Sequence, residues 1–180
     1  LVKIAKYRED RKSTSPVHEA DPIPFDTLVE HADRYLERMR SFHGRATIVM
    51  LNVLSVGYSM LGKNPFNVLN IRVADLDTLC RFSLNRGLER AEGIEFDIEL
   101  GSQSLQYLLD NDWGSGTVSI SGRYRIKSQM SNWKFRRVFQ LGMLACRDVS
   151  LGKDPLFLFR KENRISEMEP VNMFKEGETI

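Results

Sequence analysis

A chain of 180 residues has the size of one domain able to bury a substantial core, and 42% apolar with 28% charged residues is an ordinary globular composition. Its 26 basic and 24 acidic residues leave a net charge of +2, too small a field to gather polyanions, so nucleic acid is not implied as a partner. The longest apolar run, Ala46 to Val56, is interrupted by Thr47, Asn52 and Ser55 and falls short of the roughly 18 to 20 residues that a membrane helix needs.

Residues Leu1 to Tyr7 have a weak strand pattern. Arg8 to Pro24 is polar and charged, with turn chemistry at Pro16, Pro22 and Pro24, and reads as an arm or linker. Asp26 is placed to cap a helix starting at Thr27. In that helix Leu28, Ala32, Tyr35, Met39 and Phe42 recur at helical spacing and form one apolar stripe, ended by Gly44. Ala46 to Val56 is continuously aliphatic and β-branched, and is expected to be a central strand covered on both faces. Gly57 to Pro65 turns the chain, and Phe66 to Val73 is a further strand.

The sharpest signals lie beyond Ala74. Leu76, Thr78, Cys80, Phe82 and Leu84 alternate with mostly polar neighbours, and after a turn over Asn85 to Gly93 the set Ile94, Phe96, Ile98 and Leu100 alternates with Glu95, Asp97 and Glu99. A period of two places one set on a buried sheet face and the other in water. Ser102 is the expected cap of a helix that buries Leu105, Leu108 and Leu109, and Gly114 to Ile126 is expected to return as a strand. Ser128 to Cys146 is helical and broadly apolar; Pro155 to Phe159 is a short apolar run, and Arg160 to Ile180 is polar. The connections are mostly short, so the four or five strands are expected to be mainly antiparallel. The expected division is an arm over 1–24, one α+β domain over 25–160 and a tail over 161–180.

The passage from Ile94 to Ile126, with "IEFDIEL", the leucine helix "SQSLQYLL" and the glycine-punctuated "GSGTVSISGRYRI", resembles the sterol-carrier-protein-type domain. The resemblance implies an α+β fold with helices on one face of a mainly antiparallel sheet and an apolar tunnel between the layers. It also implies a non-catalytic module that binds an apolar or lipid-like ligand or serves as accessory domain of a larger hydrolase. Such domains occur behind metallo-β-lactamase-fold hydrolases, whose upstream part carries the metal. The chain begins at Leu1 without an initiator Met, and a C-terminal region of something longer is expected. Phe82, Phe96, Tyr107, Trp113, Tyr124, Trp133, Phe135 and Phe139 are large enough either to line such a tunnel or to fill it.

Catalytic signatures are absent from the sequence. His18, with Glu19 and Asp21, lies on the arm, and His31 has no second histidine at three or four residues, whereas zinc needs three or four rigid ligands. The H-x-H-x-D-H run is missing, as are a G-x-S-x-G elbow and any phosphate-cradling glycine loop. Cys80 and Cys146 lack C-x-x-C spacing and read as buried thiols in a reducing, cytoplasmic compartment. Alternation places Glu95, Asp97 and Glu99 on a solvated strand face. Arg123, Arg125, Lys127, Lys134, Arg136 and Arg137 form a basic stretch that either pairs with this acidic strand or meets an anionic partner. No catalytic residue, metal or cofactor is expected. The expected partners are an apolar small molecule or lipid and an upstream catalytic domain. A structural or dimerisation domain without ligand, and the C-terminal part of a metal-dependent hydrolase, remain open.

Overall fold

The computed structural model describes residues 21–62 and 67–152. The expected strand at Leu1 to Tyr7, most of the arm with His18, the run Pro155 to Phe159 and the polar tail lie outside the described residues. Helix α1 (Phe25–His43) buries Leu28, Ala32, Tyr35, Leu36 and Met39, the stripe that its spacing dictates. Pro24 occupies the cap position and Asp26 lies in the first turn, where its charge suits the unpaired N–H groups of a helix start. The helix ends at Gly44, whose N–H donates to the Arg40 carbonyl.

Helix α2 (Arg45–Met60) replaces the central strand expected over Ala46 to Val56. Buried Thr47, Ile48, Leu51 and Ser55 fall on one helical side, so neighbouring structure overrides the β preference of the valines and isoleucine. The length of the segment, 16 residues, is also that of a helix rather than of a buried strand. The turn expected over Gly57 to Pro65 therefore begins only at Leu61.

Strand β1 (Val68–Val73) leads through a single 3₁₀ turn at Ala74–Leu76 into β2 (Thr78–Ser83). Strand β3 (Gly87–Arg90) occupies the bend expected between Asn85 and Gly93. Strand β4 is Ile98–Leu100, and helix α3 covers Ser102–Asp110 with Leu105, Leu108 and Leu109 buried. The anticipated strand over Gly114 to Ile126 divides into helix α4 (Gly114–Ser121) and a short strand β5 (Tyr124–Ile126). Its apparent alternation rests on Val118 and Ile120, of which the first is buried and the second 91% exposed. A Cβ at Gly114 would lie 2.7 Å from Leu108 Cα, so this residue lets α4 start against α3. Gly122, at φ +64, ends α4 in the left-handed conformation common after helices. Helix α5 (Gln129–Val138) and α6 (Gln140–Ala145) replace one continuous helix, with Phe139 at the joint.

The five strands make one sheet in the order β3-β2-β1-β4-β5. Neighbours are antiparallel except for β1 and β4, which run parallel. This is the parallel pair that short connections alone would not suggest, because β2 and β3 intervene in sequence between its members. The register puts Leu69 opposite Phe82, Ile71 between Cys80 and Ile98, and Val73 opposite Leu100, all buried on one face. Asn70, Arg72, Arg81, Glu99 and Arg125 point to the other. The class is α+β, with helices on one side of a mainly antiparallel sheet. Replacing Gly114 by Ala, which forces backbone against backbone, is expected to cost about 1–3 kcal/mol, readable as a lowered urea midpoint with an unchanged m-value.

Candidate functional site

The space between sheet and helices is occupied by rings. Tyr35 of α1 meets Phe82 of β2 and Phe139 edge-on at centroid distances of 6.0 and 5.8 Å. Phe82 stacks on Phe139 at 5.4 Å, and Phe135 touches Phe139 at 5.5 Å and stacks on Tyr124 at 5.3 Å. These separations are those of packed aromatic pairs, so four of the proposed lining residues, Phe82, Tyr124, Phe135 and Phe139, are brought together with Tyr35 in one connected series of ring contacts. Burial pushes the Tyr35 phenol well above its ordinary value, since a phenolate there would lose its hydration.

The other four lie apart. Phe96 is half-buried under the Arg125 guanidinium, 5.9 Å from the ring centroid. Tyr107, within α3, and Trp113, at the start of α4, are exposed, and Trp133 lies on α5 beside Arg137.

The acidic and basic stretches meet each other. On the open sheet face Glu99 accepts from Arg125 at 3.0 Å and lies 3.5 Å from Arg72, while exposed Glu95 accepts from Lys127, which holds its carboxyl below the usual range. Asp97 departs from the solvated face expected of it. The chain bends at this residue before β4 begins, and its side chain is buried. There it accepts from Lys134 Nζ at 2.9 Å, Ser131 Oγ at 3.2 Å and the Asn70 N–H at 3.1 Å. Ser128 caps α5 by accepting from the Ser131 N–H, which sets Ser131 and Lys134 toward Asp97. Arg123 and Arg136 are exposed, and Arg137 donates to Gln140 Oε1.

His31 is buried, with Nδ1 against the Asp110 carboxylate and Nε2 3.1 Å from the Gln106 amide. Both ring nitrogens thus have partners, and no nucleophile stands where a base would need it. His43 donates from Nε2 to the Leu141 carbonyl at 2.9 Å and accepts at Nδ1 from the Leu151 N–H at 3.2 Å. Burial holds its pKa below the ordinary 6.5, as this neutral tautomer requires. The Cys80 thiol is pushed up to about 12 by burial, which leaves it protonated and inert. Among the described residues no three His, Cys, Asp or Glu side chains converge as metal ligands, and no helix is long and apolar enough to cross a membrane.

The feature that sequence reading missed lies on α2. Val49, Val53, Val56 and Met60, spaced four, three and four residues apart, form a stripe on one side of the helix and are 59%, 65%, 53% and 83% exposed. Leu54 and Leu61 flank it. Beside it a groove of about 260 Å³ has Ile48, Val49 and Leu84 as its apolar lining and Glu37, Arg40, Arg45 and Asn52 as polar neighbours. The signal was present in the sequence as a stretch without charge from Ala46 to Gly62. Read as a strand, its valines had no exposed side.

Comparison with known proteins gives little beyond this geometry. No family model and no curated protein matches the chain. A solved chain described as "UbiJ-SCP2 Ubiquinone synthesis protein" is similar at 17% identity over 68% of this chain and 99% of that one, with a TM-score of 0.39. The functional reading rests on this chain's own residues.

Two outcomes test the polar contacts. Lys134→Met leaves Asp97 buried without its cation and is expected to destabilise by about 3–5 kcal/mol, with much of the loss recovered in the Asp97→Asn/Lys134→Met double variant; Arg125→Ala should cost under about 1 kcal/mol in the same chemical denaturation. For His43, the unfolded chain takes up a proton at its ordinary 6.5 while the folded chain resists to lower pH. The stability contributed by the neutral ring is therefore complete above that value and falls as pH drops below it. Melting temperatures taken from about pH 7.5 to 5.5 should decline, and decline less in His43→Asn.

Proposed function

We propose that the chain is a non-catalytic module, resembling sterol-carrier-type domains, that binds an apolar or lipid-like ligand against α2, alone or in the service of a larger enzyme. The observation that carries the reading is the exposed stripe Val49, Val53, Val56 and Met60 beside the groove at Ile48 and Leu84. Contiguous apolar surface of this kind on a folded chain marks a place where something else binds. The groove, about 260 Å³, lies just under the roughly 300–1,000 Å³ of small-molecule pockets. It suits one end of an elongated molecule whose remainder runs along the stripe. Arg40 and Arg45 stand near that end, and both lie within salt-bridge range of Glu37, so a polar head there meets a rim with one positive charge in excess.

The location differs from a tunnel between sheet and helices because the rings of Tyr35, Phe82, Phe135 and Phe139 already pack against one another there. A ligand inserted among them would have to displace aromatic contacts worth about 0.5–1.5 kcal/mol per pair. The α2 face has no such cost. The same exposed face favours a second reading, a structural module that associates with another polypeptide through α2.

Native mass spectrometry of the purified chain, with organic extraction and identification of what is released, distinguishes the two. The first reading expects an apolar molecule in the wild type and about tenfold less in Val49→Asp/Val53→Asp at an unchanged melting temperature. Recovery of nothing, together with no saturable uptake of a fluorescent fatty acid, would leave only the second.

A further inference from the structure

Helix α2 has features that its own fold does not use. Gly57 lies inside the helix, nothing stands within 4 Å of where its Cβ would be, and its φ is not positive. Neither a close contact nor a left-handed backbone therefore accounts for a residue that helix interiors avoid. Arg45, exposed and paired with Glu37, opens the helix at the pole where a cation is disfavoured, while the last turn has no basic residue to suit the opposite pole. From Ala46 to Gly62 no residue is charged.

The exposed residues Val49, Val53, Val56 and Met60 follow the alternating four- and three-residue spacing of a helix–helix seam. Helices that lie on a membrane surface carry Lys or Arg with Trp or Phe, and none of these occurs between Ala46 and Gly62. A seam of this kind needs a second helix of similar length, equally free of charge, and another copy of α2 is both. In an antiparallel pair about a two-fold axis through the middle of the seam, Val49 of one copy lies beside Met60 of the other, and Val53 beside Val56. Such an interface is self-complementary, with no like charges opposed along it. It sets Arg45 toward the carbonyl end of the neighbouring helix, where a cation is favoured, and Gly57 gives room for the axes to approach to the roughly 8–10 Å of packed helices. With Leu54 and Leu61 at its sides, the apolar surface supplies most of the roughly 800 Å² that each partner gives to a standard interface.

We infer that α2 pairs with α2 of a second copy of this chain, antiparallel across a two-fold axis. The inference rests on the reading of α2 as a surface for another polypeptide and names that polypeptide.

Sedimentation equilibrium of the full chain is expected to give twice the 20.8 kDa of one copy, with the dissociation constant raised about 100-fold in Val53→Asp/Val56→Asp. Because that variant places charge on α2, a second one is used: Gly57→Leu, at a position where no atom of the same fold is near, should weaken pairing about tenfold with an unchanged far-ultraviolet circular dichroism spectrum. Val49→Glu/Met60→Lys in one chain should pair more tightly than either single variant, since an antiparallel pair brings Glu to Lys at both ends and a parallel pair opposes like charges. A single-copy mass at every concentration overturns the inference, as does a pair that Val53→Asp/Val56→Asp leaves intact or a double variant that pairs no better than the single ones. A photo-crosslinker at position 53 in living cells separates this inference from the reading beneath it. An adduct of two copies supports both, an adduct only with a different protein keeps the association surface and overturns the second copy, and no adduct overturns both.

Discussion

The contact on which the rest of this structure depends is the ring cluster of Tyr35, Phe82 and Phe139. Phe82 is the sheet's contribution, Tyr35 that of α1, and Phe139 that of the joint between α5 and α6. Three parts of the chain far apart in sequence are fixed by one set of faces and edges. Because packed interiors have little slack, the position of each ring constrains the other two. The break between α5 and α6 falls where Phe139 has to turn inward, and Gly142 allows the close approach of the following turn to Tyr35 and Asp112.

Around that cluster, the edges of the layer are closed by polar contacts that span elements. Asp97 ties β1, the entry to β4 and α5 through Asn70, Ser131 and Lys134. Asp75 accepts from the backbone N–H and hydroxyl of Ser102, whose Oγ also accepts from the Ile23 N–H. The carboxylate after β1 thus satisfies the start of α3 and brings the beginning of α1 to it. His43 closes the far end, joining α1 to the Leu141 carbonyl and to Leu151. Each contact replaces water at a buried polar group, and losing one partner costs more than the bond itself contributes.

The packed rings and the outer side of α2 differ in kind. Aromatic side chains pack against one another between sheet and helices, while among the described residues a row of exposed apolar side chains follows one side of α2. That helix is anchored by Ile48 and Leu51, and its outward side has valines and methionine where a solvent-facing helix usually has charges. The open side of the sheet is different in kind. There Arg72 and Arg125 pair with Glu99, and Arg72 also with Asp77, so these two cations are matched by two carboxylates.

Local sequence determined the parts whose pattern has one physical solution. The stripe in α1, the buried side of Cys80 and Phe82, the leucine edge of α3 and the buried Ile98 and Leu100 were legible, because a regular period admits one arrangement of apolar side chains; the ribbons on either side of Asn85 to Gly93 are not neighbours as their rhythm suggested, since β2 pairs with β1 and β3 and β4 runs parallel to β1. The opposition of acidic and basic stretches could also be read as charge pairing. Tertiary structure alone decided the rest. Ala46 to Val56 has a strand's composition and a helix's surroundings; Gly114 to Ser121 coils because α3 lies against its glycine; Asp97 turns inward because Lys134 arrives from α5. Which aromatic rings meet, and that α2 turns valines outward, depended on three-dimensional distances that spacing along the chain does not encode.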